Sequence, residues 1–140
     1  MTNNKVLESC LFIEGALEHT HHDTRTPITR GELRMIKGKL SNALINLSNA
    51  GADAMITIPL NKVLELVVEV LNDENLKDSA DFVKDKIVSE LQTILPQVYL
   101  YCGKYYETVE FDYNPAMTKV VNRVIDNCIR NGYYFGYENK

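Results

Sequence analysis

Apolar residues return every three or four positions along most of this 140-residue chain, the spacing of one face of an α-helix. A chain with that repeat has to bury a series of helical stripes against one another, so helices around a shared core are the expected outcome.

The first periodic segment covers about residues 4–19, where Val6, Leu7, Cys10, Leu11, Ile13, Ala16 and Leu17 share a face. A polar stretch with all three histidines, 19–27, reads as a loop. A second helix is expected over about 29–50: Thr29 and Glu32 have capping-box spacing, and Asn49-Ala50-Gly51 supplies a stop. Ala54–Ile58 reads as a short apolar connection, with Pro59 in the first turn of a third helix over about 59–72. Apolar residues wrap most of that helix, which points to a central place in the core or to an oligomer interface. A fourth helix is expected over about 75–95, ended by Pro96.

Composition then shifts, and all eight tyrosines lie after residue 97. Gln97–Cys102 and Tyr105–Phe111 are rich in β-formers and are joined by Gly103-Lys104, so a small β-hairpin is expected at about 98–111. The competing reading extends the fourth helix through Pro96. Asn114-Pro115 opens a fifth helix and Asn131-Gly132 stops it. The fold expected is thus mainly α: about five helices around one core, a small hairpin, and an aromatic C-terminal tail, forming a single domain over 1–140. A chain of this length can bury about two thirds of its extended surface, enough for one core without staples.

A net charge of −4 does not favour broad binding to nucleic acid or to an anionic membrane. Cys10, Cys102 and Cys128 are odd in number and show no C-x-x-C spacing, which argues against a disulfide framework or a zinc knuckle. The most apolar stretch, Val63–Leu71, is short and contains two glutamates, whereas a membrane span needs about 20 apolar residues. The first residues run straight into an amphipathic pattern without the apolar run of a secretory signal, so the cytoplasm is the expected address.

Four constellations carry chemistry. Glu18, His19, His21, His22 and Asp23 place five potential ligands within six residues; His19, His21, His22 and Asp23 are the candidate site for a divalent metal. Continuing the first helix one more turn would pair Glu18 with His22 and His19 with Asp23. The competing reading is a solvated loop. Arg30, Arg34 and Lys37 fall within about 60° of arc on the second helix, near its N-terminus, and could hold a phosphate-containing small molecule; a solvated helix face is the alternative. Lys119, Arg123 and Arg130 share one side of the fifth helix and run into Tyr133, Tyr134, Phe135 and Tyr137. Arginine with aromatic rings suits a protein hot spot or a stacked nucleotide, unless the tail simply covers the core. Glu65, Glu69 and Asp73 form a carboxylate row at i, i+4, i+8. Helical nucleotide pyrophosphohydrolases use Glu-x-x-Glu and a later Glu-x-x-Asp instead, so this row reads as the polar edge of an apolar helix.

No Gly-x-Ser-x-Gly, phosphate-binding glycine loop, Gly-x-Gly-x-x-Gly or His-Glu-x-x-His is present. In its Asn- and Ile-rich, Trp-free, acidic composition the chain resembles accessory proteins of phages and mobile elements. The function expected is a small non-enzymatic protein that binds, and can inhibit or regulate, another macromolecule, above all another protein. Arg30, Arg34, Lys37, Arg123, Arg130, Tyr133, Tyr134 and Tyr137 are its candidate contacts, and a homodimer or larger closed oligomer is expected. Two alternatives are a binder of a phosphorylated or nucleotide-like molecule through the same residues and a metal-dependent activity at the histidine cluster; no other cofactor is expected.

Overall fold

The computed structural model describes residues 4–20, 28–73 and 81–108, together with helical backbone at 122, 123, 126 and 130. Four helices are described: α1 Lys5–Glu18, α2 Arg30–Asn49, α3 Ala54–Asn72 and α4 Asp81–Thr108. No strand occurs among the described residues. Residues 122, 123, 126 and 130 are helical where the fifth helix is expected; the rest of that element and the aromatic tail lie outside the described residues.

The helices form a closed ring in which α1 packs on α2 and α4, and α3 packs on the same two; the diagonal helices are not neighbours. Each neighbour runs antiparallel to the next. Ser9 of α1 donates to the Ala43 carbonyl of α2, while Gly15, farther along α1, lies beneath Lys39, earlier in α2. Arg30, at the start of α2, reaches the carbonyls of Leu71 and Asp73 at the end of α3. The Tyr106 hydroxyl, near the end of α4, accepts from the Leu7 amide at the start of α1. Up-down-up-down order follows, as in antiparallel four-helix bundles.

The core is the sum of one stripe from each helix. Cys10, Ile13 and Leu17 of α1 meet Leu33, Ile36, Leu40 and Leu47 of α2, Leu60, Val63 and Val67 of α3, and Ile87, Leu91, Ile94 and Val98 of α4. Each such side chain contributes about 1.5–3 kcal/mol when fully buried, which far exceeds any surface ion pair described here.

The second helix begins and ends as its sequence dictates. Thr29 accepts from the Glu32 amide and Glu32 accepts in return from the Thr29 amide. Ile28 and Leu33 flank this box and are both buried, the arrangement of a hydrophobic staple. At the other end Gly51 takes φ +81°, its amide donates to the Ser48 carbonyl, and the Ala52 amide donates to that of Leu47. These two bonds are a Schellman motif.

Two expectations are corrected, and both concern prolines. The third helix starts at Ala54 rather than Pro59, because the Asp53 side chain caps it by accepting from the Met55 amide. Ala54–Ile58 is therefore helical, and Pro59 lies inside the helix. Likewise the expected hairpin at about 98–111 is replaced by helix as far as Thr108, with Pro96 inside α4; residues 109–111 lie outside the described residues. Leu91, Ile94, Val98 and Cys102 are all buried, so the helical period of the core stripe passes through the proline without a shift of phase.

Two glycines should respond in opposite ways to alanine. Gly51→Ala places a Cβ at positive φ and should cost about 1–2 kcal/mol. Gly38 is exposed in the interior of α2, and a Cβ there would meet nothing within 4 Å; Gly38→Ala should stabilise by about 1 kcal/mol. Urea unfolding of both variants checks the pair, and equal signs would contradict the α2 boundaries.

Candidate functional site

At the end of the bundle where α2 turns into α3, the first turns of α3 and the second half of α4 enclose an open cleft of about 450 Å3. Gly51, Asp53, Met55 and Ile56 line one side; Gln97, Leu100, Tyr101 and Lys104 line the other. The volume is in the range of ordinary ligand and side-chain pockets, about 300–1,000 Å3. On its rim Met55 is 71% exposed, and one turn farther along α3 Ile58 is 54% exposed. Asp53 and Lys104 give the cleft one charge of each sign, and both are exposed.

Helical phase explains which residues arrive there. With Asp53 as cap, α3 turns Ile56, Leu60, Val63, Val67 and Val70 inward, and Met55 and Ile58 are left outward. On α4 the buried stripe of Leu91, Ile94 and Val98 leaves Gln97, Leu100, Tyr101 and Lys104 partly or fully accessible.

The cleft wall is held by tyrosines. The Tyr101 hydroxyl donates to the Ala50 carbonyl at 2.9 Å, tying α4 to the C-terminus of α2. Its ring centroid lies 6.1 Å from that of Tyr105, which in turn meets Tyr106 edge-to-face at 5.0 Å. Tyr106 accepts from the Leu7 amide at 3.2 Å and so satisfies an N–H of the first turn of α1, where Asn4 makes no side-chain cap. Burial pushes the Tyr101 hydroxyl pKa upward, with a smaller push from Tyr105. Burial also pushes that of Tyr106 well up, partly opposed by the hydrogen bond from Leu7 and reinforced by Cys102, Tyr105 and Cys10 nearby.

The residues singled out from the sequence are scattered around the bundle. Arg30 donates to the Leu71 carbonyl at 2.9 Å and to that of Asp73, closing the C-terminus of α3. Arg34 and Lys37 are exposed on α2, away from the cleft. Arg123 donates to Glu14 at 3.0 Å, and Glu14 also accepts from the Tyr99 hydroxyl, so Arg123 docks onto the α1/α4 side of the bundle. Arg130 is exposed. Tyr133, Tyr134 and Tyr137 lie outside the described residues. So do His21, His22 and Asp23, while His19 is half-buried as the C-cap of α1. The helix ends at Glu18, with His19 and Thr20 in a turn. Among the described residues no group of three or more His, Cys, Asp or Glu side chains is arranged to hold a metal ion. Glu65 and Glu69 are exposed, with Glu65 accepting from Asn61 at 2.9 Å, in keeping with a polar helix edge.

The cleft itself has no counterpart among the sequence motifs. Its two walls are some 45 residues apart, and only the exposed apolar pair Met55 and Ile58 within a helical phase would have given a signal.

No protein-family model, curated protein or solved structure matches the chain, so the site is tested by its own chemistry. Because folding raises the pKa of Tyr101 and Tyr106, the folded state holds their protons more tightly than the unfolded chain does. Their contribution is fully present below the ordinary tyrosine value of about 10 and is lost as pH rises through the folded values. Denaturant midpoints should fall from about pH 10 upward, and Tyr106→Phe should flatten that fall. The same variant should cost about 1 kcal/mol at neutral pH, since the Leu7 amide loses its acceptor.

Proposed function

We propose that this chain is a small, non-enzymatic binding protein whose α3/α4 cleft docks a protein partner. The observation that carries the reading is a cleft of about 450 Å3 lined by the exposed Met55, with a second exposed apolar side chain, Ile58, one turn farther along α3. Contiguous apolar surface exposed beside a concavity is the composition of a docking site. Methionine adapts its shape to a partner, and a tyrosine wall held by a hydrogen bond is a rigid anchor of the kind found at hot spots. The absence of any catalytic motif from the sequence supports a binding role over a chemical one.

Cys10 and Cys102 are buried and form no disulfide, which suits a reducing compartment such as the cytoplasm. No helix among the described residues is long and apolar enough to cross a membrane.

A photo-crosslinking amino acid placed at Met55 tests the reading in the cells that make the protein. It should yield a covalent adduct with a second polypeptide, and the same reagent at Asn42, exposed on the outer side of α2, should not. Equal yields from the two positions, or none from Met55, would remove the cleft as the docking face.

A further inference from the structure

We propose that the occupant of the cleft is a second copy of this chain, paired about a two-fold axis; this rests on the docking reading above and names its partner. The cleft and the apolar residues that could fill a cleft lie on the same surface of the same molecule. Met55 lines the cavity and is 71% exposed, and Ile58 follows one turn later at 54%. A projection beside a hollow is the requirement for an isologous interface, in which each copy offers the same patch and receives the same patch. A two-fold operation carries Met55 and Ile58 of one copy towards the Leu100 and Tyr101 wall of the other, and the reverse.

Charge is self-complementary in the same way. Asp53 and Lys104 line opposite walls of the cleft and are both exposed. With the two-fold axis running along the cleft, the α3 wall of each copy faces the α4 wall of the other, which sets Asp53 of each copy against Lys104 of the other and forms two opposite-charge contacts and no like-charge one. Asp53 retains this role while capping α3, since the cap occupies Oδ1 alone. The adjacent side of the ring is differently engaged: at α1/α4, Glu14 already holds Arg123 and Tyr99.

Sedimentation equilibrium of the full chain between about 5 and 300 µM gives the test. The expected result is a mass that rises with concentration towards twice the 16.0 kDa of one chain. Met55→Asp with Ile58→Asp should hold the protein at one chain throughout, with its helical circular dichroism unchanged. Lys104→Asp and Asp53→Lys should each weaken self-association about tenfold or more by setting like charges against each other. Mixed in equal amounts, those two variants should pair with each other, because every facing contact is again opposite in sign. That recovery also shows that both variants are folded.

A wild-type mass of one chain at 300 µM overturns the second-copy assignment, as does a dimer that survives all of these substitutions. If the chain is monomeric while Met55 still crosslinks to a different protein, the docking reading stands and only its partner is reassigned. If it is monomeric and Met55 crosslinks to nothing, both fall.

Discussion

Pro96 lies in the middle of α4, and the helix continues through it because burial on both sides outweighs the hydrogen bond that a proline removes. An interior proline costs about 3 kcal/mol. Beyond it Val98, Tyr99 and Cys102 are all at least nine-tenths buried, and each large apolar side chain so placed contributes about 1.5–3 kcal/mol. A hairpin would break the phase of that stripe and expose part of it, since strand side chains alternate between two faces. The other features of this end of the molecule depend on that continuity. A single unbroken run of α4 brings Tyr99 to the side of α1, Tyr101 to the end of α2 and Tyr106 to the start of α1.

Those tyrosines account for part of the aromatic shift in composition after residue 97. Helix ends leave unpaired backbone groups, and in a four-helix ring the ends are where water would otherwise enter the core. Tyr106 supplies an acceptor at the start of α1, Tyr101 a donor at the end of α2, and Tyr99 a donor to Glu14 farther along α1. At the far end of the bundle Arg30 does the same for the last carbonyls of α3. Side chains from one helix thus terminate another, in addition to the caps that α2 and α3 carry in their own sequence.

The elements legible in the sequence are those whose signals are local. The apolar period of α1, the Thr29–Glu32 box and the Gly51 stop all act within a few residues, and each forms as its sequence implies. Prolines mislead at both boundaries that the structure moves. Pro59 suits a first turn and Pro96 suits an end, yet the Asp53 cap and the core stripe override these preferences. Arg30 is legible as a basic residue near a helix start, whereas its partners stand 41 and 43 positions away and give no local signal. The cleft is of that second kind, a product of the antiparallel pairing of α3 with α4.

The outward row of α3 separates what folding requires from what it leaves over. Asn61, Lys62, Glu65, Glu69 and Asn72 occupy its exposed positions through the middle and end of the helix, as solvent-facing positions ordinarily do. At the first turns the same outward phase is held by Met55 and Ile58 instead. Neither side chain is needed to complete the core, since Ile56 and Leu60 already fill the inward positions at that level. Polar residues there would serve a free monomer at least as well, because exposed apolar surface is an aggregation liability. Met55 and Ile58 thus lie outside what the core requires, on a helix side that is polar farther along, and they are the side chains that the proposed docking would use.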